Sequence, residues 1–330
     1  MNPRGARIYC GTPRQLSFLA RRLRAGELVA VPTETVYGLA ADAFNARACR
    51  RIFTVKGRPA SDPLIVHLAS PRELARVAVP NGAARLLAAA FWPGPLTLVL
   101  PKAASVPDVV SAGLPSVAVR VPAHPLFQRL LRLTGRPLAA PSANPFGYVS
   151  PTTADHVQRG LGRKIRHILD GGPARIGLES TIVDLRDPNR PRLLRPGGIS
   201  RQELARVLGR PVSRPRRTMR ARGPQLAPGQ LARHYSPHTA VTLHPRLPDR
   251  KTTGRATDEA WIFLGKPKRA RGKNIFWLDA KGDVPRAARR LFSVLRRLDE
   301  AGFRKIHAEL ARGAGLAEAI NDRLRRAAAR

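Results

Sequence analysis

The chain has 330 residues, 43% of them hydrophobic, and its 59 Lys and Arg against 22 Asp and Glu give a formal net charge of +37. That length fits about two domains of roughly 100–200 residues each. The apolar share excludes wholesale disorder, and no run of about 18 apolar residues offers a membrane span.

Thr12-Pro13 reads as an N-cap with proline at the first helical position. Leu16, Leu19, Ala20 and Leu23 follow at helical spacing, and Gly26 ends the run. Leu28 to Val31 predicts a buried strand closed by Pro32. A helix is expected over Ala46 to Val55, with Gly57 just past its end. Leu64 to His67 reads as a strand, and Ser70-Pro71 with Glu73 opens another helix. Strands follow at Leu96 to Leu100 and Val117 to Val121, a helix at Leu126 to Leu133, and a short strand at Leu138 to Ala140. Further strands are expected at Ile168 to Asp170, Thr181 to Leu185 and Leu193-Leu194, and Ser200 caps a helix running to Leu208. This alternation predicts one α/β domain over about residues 10–209.

Residues 210 to 233 then hold seven arginines, four prolines and no acidic residue. The composition predicts a linker, 210–238, with little packed structure. Beyond it, Ala240 to Leu243, Trp261 to Leu264, Ile275 to Leu278 and Ile306 to Leu310 read as strands. Val284 to Leu298 and Leu316 to Arg326 read as helices. A smaller α/β domain over 239–330 fits this pattern.

The N-terminus carries scattered arginines and no apolar run with a cleavage site, so the expectation is a cytoplasmic protein without a signal peptide. Cys10 and Cys49 are too few for a disulfide framework and lack metal-ligand spacing. The charge excess points to polyanions, although a coding bias toward arginine would give the same number without selecting any partner. There is no Gly-x-x-x-x-Gly-Lys-Ser/Thr loop, no His-Glu-x-x-His, no Cys-x-x-Cys and no Gly-x-Ser-x-Gly elbow. Gly160-x-Gly162 does not follow a strand and gives no support for dinucleotide binding.

Four polar segments remain. Pro32 to Leu39 places Thr33, Glu34, Thr35 and Tyr37 at a strand's C-terminal end, where open α/β sheets bind ligands. Lys56-Gly57-Arg58-Pro59-Ala60-Ser61-Asp62-Pro63 is a compact cationic loop, pairing a lysine point charge with an arginine fork as phosphates require. It runs into an apolar strand ending at His67. In Ala139 to Pro145, small residues let a ligand approach the backbone, while Ser142 and Asn144 offer a hydroxyl and an amide. Gly177 to Asp184, followed by Leu194-Arg195-Pro196-Gly197-Gly198, repeats the theme of a polar strand start and a cation at a strand end. Arg120 lies inside an apolar strand pattern and, if buried, needs a partner, either a ligand carboxylate or an ordinary salt bridge. Trp92-Pro93-Gly94-Pro95 reads as a structural turn. Taken singly, each segment also fits an ordinary polar turn or a solvated basic loop.

Together, and in this order, the segments resemble the threonylcarbamoyl-AMP synthases, whose catalytic part is the YrdC-like domain. The resemblance covers about residues 10 to 205 and continues through Ala227-Pro228-Gly229 and His234-Tyr235-Ser236-Pro237. The Gly315 to Arg326 segment is similar to the end of the family's two-domain form. The resemblance implies a twisted α/β sheet around a basic cavity, plus a smaller Rossmann-like α/β domain. It implies conversion of L-threonine, bicarbonate and ATP to threonylcarbamoyl-AMP and pyrophosphate, by a nucleotidyltransferase that takes Mg²⁺ with ATP. Downstream proteins would carry the threonylcarbamoyl group to tRNA, and a weak direct contact with tRNA is compatible with the charge.

Carried over by position, Thr35, His67, Arg120, Ala140 (through its backbone) and Ser180 are expected to contact threonine. Arg58, Asp62, Ser116, Ser142, Asn144, Ser150 and Arg195 are expected on the ATP side, Asn144 more as a shaper of its loop. Lys56 and Arg58 are the expected catalytic cations, and no metal ligand is assigned. Two positions depart from the family pattern. Asp62 stands where Asn is common, which puts a carboxylate near phosphates unless a metal or Arg58 compensates. Ala232 stands where a Tyr is common, which leaves a lid role for the linker open. The competing reading is a non-catalytic RNA-binding protein with a basic cleft, supported by the run Lys266 to Lys273. Against it, aromatics are only 5% of the chain, and no RNP-like motif or Gly-x-x-Gly clamp occurs.

Overall fold

The computed structural model describes residues 5–214, 225–229, 234–250, 253 and 256–329. The elements run β1 (Arg7–Tyr9), α1 (Pro13–Arg24), β2 (Val29–Val31), β3 (Gly38–Asp42), α2 (Ala46–Lys56), β4 (Ile65–His67), α3 (Gly82–Phe91), β5 (Leu96–Pro101), α4 (Asp108–Ser111), β6 (Ser116–Arg120), α5 (Pro125–Thr134), β7 (Leu138–Ala139), α6 (Ala154–Leu161), β8 (His167–Leu169), β9 (Thr181–Asp184), β10 (Arg192–Arg195) and α7 (Arg201–Leu208). Then come β11 (Ala240–His244), β12 (Glu259–Phe263), β13 (Ile275–Trp277), α8 (Val284–Glu300), β14 (Lys305–Glu309) and α9 (Leu316–Ala328). Among the described residues, β1 to β10 form one mixed sheet in the order β1-β8-β2-β3-β7-β4-β6-β5-β9-β10. The last four strands form a second, parallel sheet in the order β11-β14-β12-β13.

Local signals account for many boundaries. Thr12 and Gln15 close a capping box on α1, as Ser200 and Glu203 do on α7. Gly57 ends α2 in the left-handed conformation, which turns the chain sharply into the Arg58 loop. Where Ser70-Pro71 predicts a helix, only a 3-10 turn, Pro71–Arg76, forms. The helix proper is α3, which starts after Asn81 caps Ala84. Gly160 and Gly162 lie in and just after α6, so they form no phosphate loop.

For its described residues, the expectation of a linker with little packed structure is corrected. Gln225, Ala227, His234, Tyr235 and Ser236 are all buried. Leu226 and Ala227 pack with Ile65, Val99, Ala118, Ile182 and Leu194 on the face of the large sheet. These apolar residues outweigh the arginine-rich composition around them, because their burial removes a hydrophobic surface of the sheet from water. Ala232 lies outside the described residues.

The second sheet carries α8 and α9 on one face, where Val241, Ala260, Ile262, Ile306 and Ala308 meet Leu291, Leu295, Ile320 and Leu324. Val36, Val149 and Leu178 from loops of the first domain, and Tyr235 from the linker, join the same cluster, so the two domains share apolar packing. Arg323 of α9, fully buried, donates to Glu179 Oε2 at 2.8 Å and to Pro196 O at 2.9 Å. Arg296 of α8 donates to the Val149 carbonyl and lies over the Tyr148 ring. No helix among the described residues is long and apolar enough to cross a membrane.

Candidate active site

The site is built at the ends of the central strands. Between β2 and β3, Thr33 folds the loop on itself: its Oγ1 accepts the Thr35 N–H at 3.0 Å and the Val36 N–H at 3.1 Å. This presents Thr35 to Arg120 at the end of β6, which donates through Nη1 to Thr35 Oγ1 at 2.9 Å. Arg120 also donates to Glu34 Oε1 at 2.6 Å and through Nε to Gly94 O at 3.1 Å. The Trp92–Pro95 turn, read as purely structural, therefore anchors this arginine. Of five guanidinium N–H groups, these three contacts leave two for a ligand carboxylate. The salt-bridge reading of Arg120 is thus realised with Glu34, without exhausting the side chain.

His67 ends β4 one strand away, with its ring buried against Phe127. Burial, reinforced by the Arg120 charge, pushes its pKa down to about 3, so the ring is neutral at neutral pH. Ser180 opens β9. Its hydroxyl is 2.7 Å from Thr97 Oγ1 and accepts from Arg195 Nη2 at 3.0 Å. Arg195 also donates to Ser180 O at 3.0 Å and toward Pro228 O of the linker at 3.3 Å.

On the other side, Lys56 ends α2 with its ammonium buried between two carbonyls. It donates to Ser142 O at 2.6 Å and to Asn144 O. Arg58 donates through Nε to Asp62 O at 2.8 Å and through Nη2 to Pro63 O at 2.7 Å. Its Nη2 also lies 3.0 Å from Asp62 Oδ2, although neither carboxylate oxygen has a hydrogen-bond partner. The pair is therefore a charge contact without aligned hydrogen bonding, and Asp62 meets Arg58 as the compensation it needs. Burial opposes charge on all three groups. It drives Lys56 well below its ordinary value, with Arg58 adding to the effect, lowers Arg58, and raises Asp62 against the pull of its cations. With Arg195 also buried and lowered by desolvation, this region is short of anions.

A cavity of about 480 Å³, counting its open mouth, runs between these groups. Thr35, Arg58, His67, Arg120, Ala140, Ser142, Ser180 and Arg195 line it. Lys56, Asp62, Asn144 and Ser150 do not line it but are buried and tied to its lining residues or to one another, whereas Ser116 lies buried at the other end of β6 from Arg120. Asn144 donates from Nδ2 to Pro145 O and Tyr148 O, both at 2.8 Å, which shapes its own loop. Ser150 donates to Glu179 Oε1, the carboxylate whose other oxygen Arg323 holds. The lining also includes Tyr37, Glu179, Pro228, Gly229, His234 and Tyr235, which had no assigned role in the sequence. The signal for the last four was the linker motifs themselves. Gly229 has φ +77°, and a Cβ there would sit 2.5 Å from Tyr235 Oη and 3.2 Å from Arg195 Nη1, so the linker passes Arg195 closely only as glycine.

A large α/β sheet with a buried, cation-rich cavity and one polar end of hydroxyls and arginine defines an enzyme for anionic substrates. The Sua5–YciO–YrdC family model, whose description reads telomere recombination, matches residues 21–197. The model of the threonylcarbamoyl-AMP synthase C-terminal domain matches residues 199–329. A Pyrococcus abyssi threonylcarbamoyl-AMP synthase is 43% identical over 316 residues, covering 92% of this chain and 91% of the relative. A Bacillus subtilis threonylcarbamoyl-AMP synthase is 38% identical and covers 95% of this chain and 93% of its own. The crystal structure of P. abyssi Sua5 complexed with L-threonine superposes with a TM-score of 0.89 at 40% identity, covering 97% and 96% of the two chains. The chain belongs to the threonylcarbamoyl-AMP synthase family, and synthesis of threonylcarbamoyl-AMP, the precursor for tRNA modification, is its function.

Proposed function

We propose that the chain acts as a nucleotidyltransferase that joins L-threonine, bicarbonate and ATP into L-threonylcarbamoyladenylate and releases pyrophosphate. The observation that carries the residue assignment is a cavity with two chemically distinct ends that meet at Ser180. Thr35, His67, Arg120, the Ala140 backbone and Ser180 form an end suited to an amino acid. The two free N–H groups of Arg120 take the threonine carboxylate, and neutral His67 offers a hydrogen bond without adding charge. Arg58, Ser142 and Arg195 form the phosphate end, Lys56, Asp62, Asn144 and Ser150 support it from behind, and Ser116 is assigned to it by the resemblance alone.

The threonine amine adds to bicarbonate with loss of water and gives an N-carboxylate. A carboxylate oxygen then attacks the α-phosphorus, and the bond to pyrophosphate breaks. Both reactants are anions, so the protein's task is to offset repulsion and align them. Arg58 and Arg195, already stripped of water, act without further reorganisation. Among the described residues no group of three or more His, Cys, Asp or Glu could nest a metal. The residues suit Mg²⁺ carried by the nucleotide's own phosphates, and Asp62, beside Arg58 and with carboxylate oxygens that accept no hydrogen bond, would be the carboxylate that lends it an oxygen. Bound there, the ion would neutralise phosphate charge.

We also assign residues 10–209 to catalysis, 210–238 to the linker and 239–330 to an accessory domain, an assignment supported by the two separate sheets. Downstream, proteins that transfer the threonylcarbamoyl group to tRNA would consume the product. The test is pyrophosphate release with threonine, bicarbonate and ATP. Arg58→Ala should lower it by about 2–4 kcal/mol of transition-state stabilisation, roughly 30- to 1000-fold. Turnover at the parent rate would remove Arg58 from this role.

A further inference from the structure

The run Lys266 to Lys273 plays no part in the cavity, yet the fold gives it a definite place. It follows β12 and leads into β13, the edge strand of the second sheet. The Asp249 carboxylate gathers its backbone, accepting the N–H groups of Lys268 and Arg269 at 2.7 Å and of Ala270 at 2.8 Å. With the backbone held in this way, the side chains of Lys266, Lys268, Arg269, Arg271 and Lys273 are exposed. Residues 264 to 281 hold six Lys and Arg against one acidic residue, Asp279. Asp279 accepts the N–H groups of Lys281 and Asp283 and is itself buried, so it cancels little of the outward charge.

Beside this loop, β13 presents two half-buried aromatic rings on its opposite faces, each already holding a cation. Lys266 Nζ lies 5.4 Å from the Trp277 ring centroid, and Arg297 lies 4.9 Å from that of Phe276. Cations clustered along a loop next to aromatic faces match the two demands of a single-stranded nucleic acid, a phosphate track and a base to stack. A cation over a partly exposed ring is weakly held, so Lys266 can move to a phosphate while a base takes its place on Trp277.

We propose that the Lys266–Lys273 loop and Trp277 form a single-stranded RNA-binding patch on the second domain, separate from the catalytic cavity. In an enzyme whose product serves tRNA modification, such a patch would hold unpaired RNA on the chain that makes the product.

The experiment uses the full chain and a fluorescein-labelled mixed-sequence RNA of 20 nucleotides, single-stranded or annealed to its complement, read by anisotropy over a range of salt. Each phosphate neutralised on a single strand contributes about −0.7 to the log–log salt slope. Reversing Lys266, Lys268, Arg269 and Lys273 to Glu should flatten the slope by about 2–3 and weaken binding at least about tenfold. Trp277→Ala should weaken single-strand binding about 5- to 100-fold, Trp277→Phe should restore most of it, and the duplex should respond little to either change. All variants should release pyrophosphate at the parent rate, which separates loss of RNA binding from loss of fold or catalysis. Unchanged RNA affinity in the charge-reversed variant would overturn the proposal. So would displacement of the RNA by polyglutamate as readily as by unlabelled RNA, or a charge-dependent affinity for phosphatidylserine vesicles that the RNA does not share.

Discussion

Lys56 shows how much a single residue's meaning changes between chain and fold. In sequence it is one half of a cationic loop reaching for phosphate. In the structure its ammonium binds the carbonyls of Ser142 and Asn144, so it joins two of the predicted site segments before any ligand arrives. Buried beside Arg58, it sits well below the ordinary lysine value of 10.5. A bound polyphosphate adds the missing negative charge and raises it again. Pyrophosphate binding should therefore take up protons in the window between that lowered value and 10.5. Calorimetry in two buffers of different ionisation enthalpy measures this uptake, and Lys56→Met should abolish it.

His67 gives the opposite lesson. Its place at a strand end was legible, but its neutrality was not, since only the packed structure shows the burial that brings it to about 3. The unfolded chain binds a proton at the ordinary 6.5 that the native ring refuses. Stability contributed by this neutral burial is complete above 6.5 and declines on acidification toward about 3, by up to roughly 1.4 kcal/mol per pH unit. His67→Asn should show a flatter loss of urea stability between pH 6.5 and 4 than the parent. Identical slopes would mean the ring is not held neutral.

At the scale of elements, capped helices and β-branched strands were readable, while segments with weak local pattern were not. Helix α3, Gly-Ala-Ala-Arg-Leu-Leu-Ala-Ala-Ala-Phe, has almost no polar face to set a period. Strand β3, Gly-Leu-Ala-Ala-Asp, has no β-branched residue and reads as the tail of the loop before it; its pairing with β2 and β7 makes it a strand. The buried part of the linker was hidden for a related reason. Composition describes 210–233 as a whole, but a few residues at 225–229 decide the packing. Helix α9 was legible, whereas its reach into the first domain was not, because that depends on which side of the helix faces Glu179. Arg323 and Glu179 are now a buried pair, and Glu179 in turn receives Ser150. Arg323→Met leaves that carboxylate buried without its cation, so it should cost about 3–5 kcal/mol in urea unfolding. It should also raise the KM for ATP through the displaced Ser150. A variant as stable as the parent would show that the pair contributes nothing to the interface.

For the whole molecule, charge was the loudest signal in the sequence and the least specific. An excess of +37 suits a cavity for ATP, a surface for RNA and a biased arginine content equally well. The order of the separated motifs was far more informative, since the fold gathers the segments around Thr35, Lys56, Arg120, Ser142, Ser180 and Arg195 into one region. The central claim is that this region joins threonine and bicarbonate to the adenylate of ATP. The direct measurement is mass spectrometry of the nucleotide products formed from threonine, ATP and ¹³C-bicarbonate. The account predicts an AMP adduct that carries threonine and a single ¹³C, formed in step with pyrophosphate and missing when threonine is omitted. Products limited to ADP or AMP without the labelled carbon would contradict it.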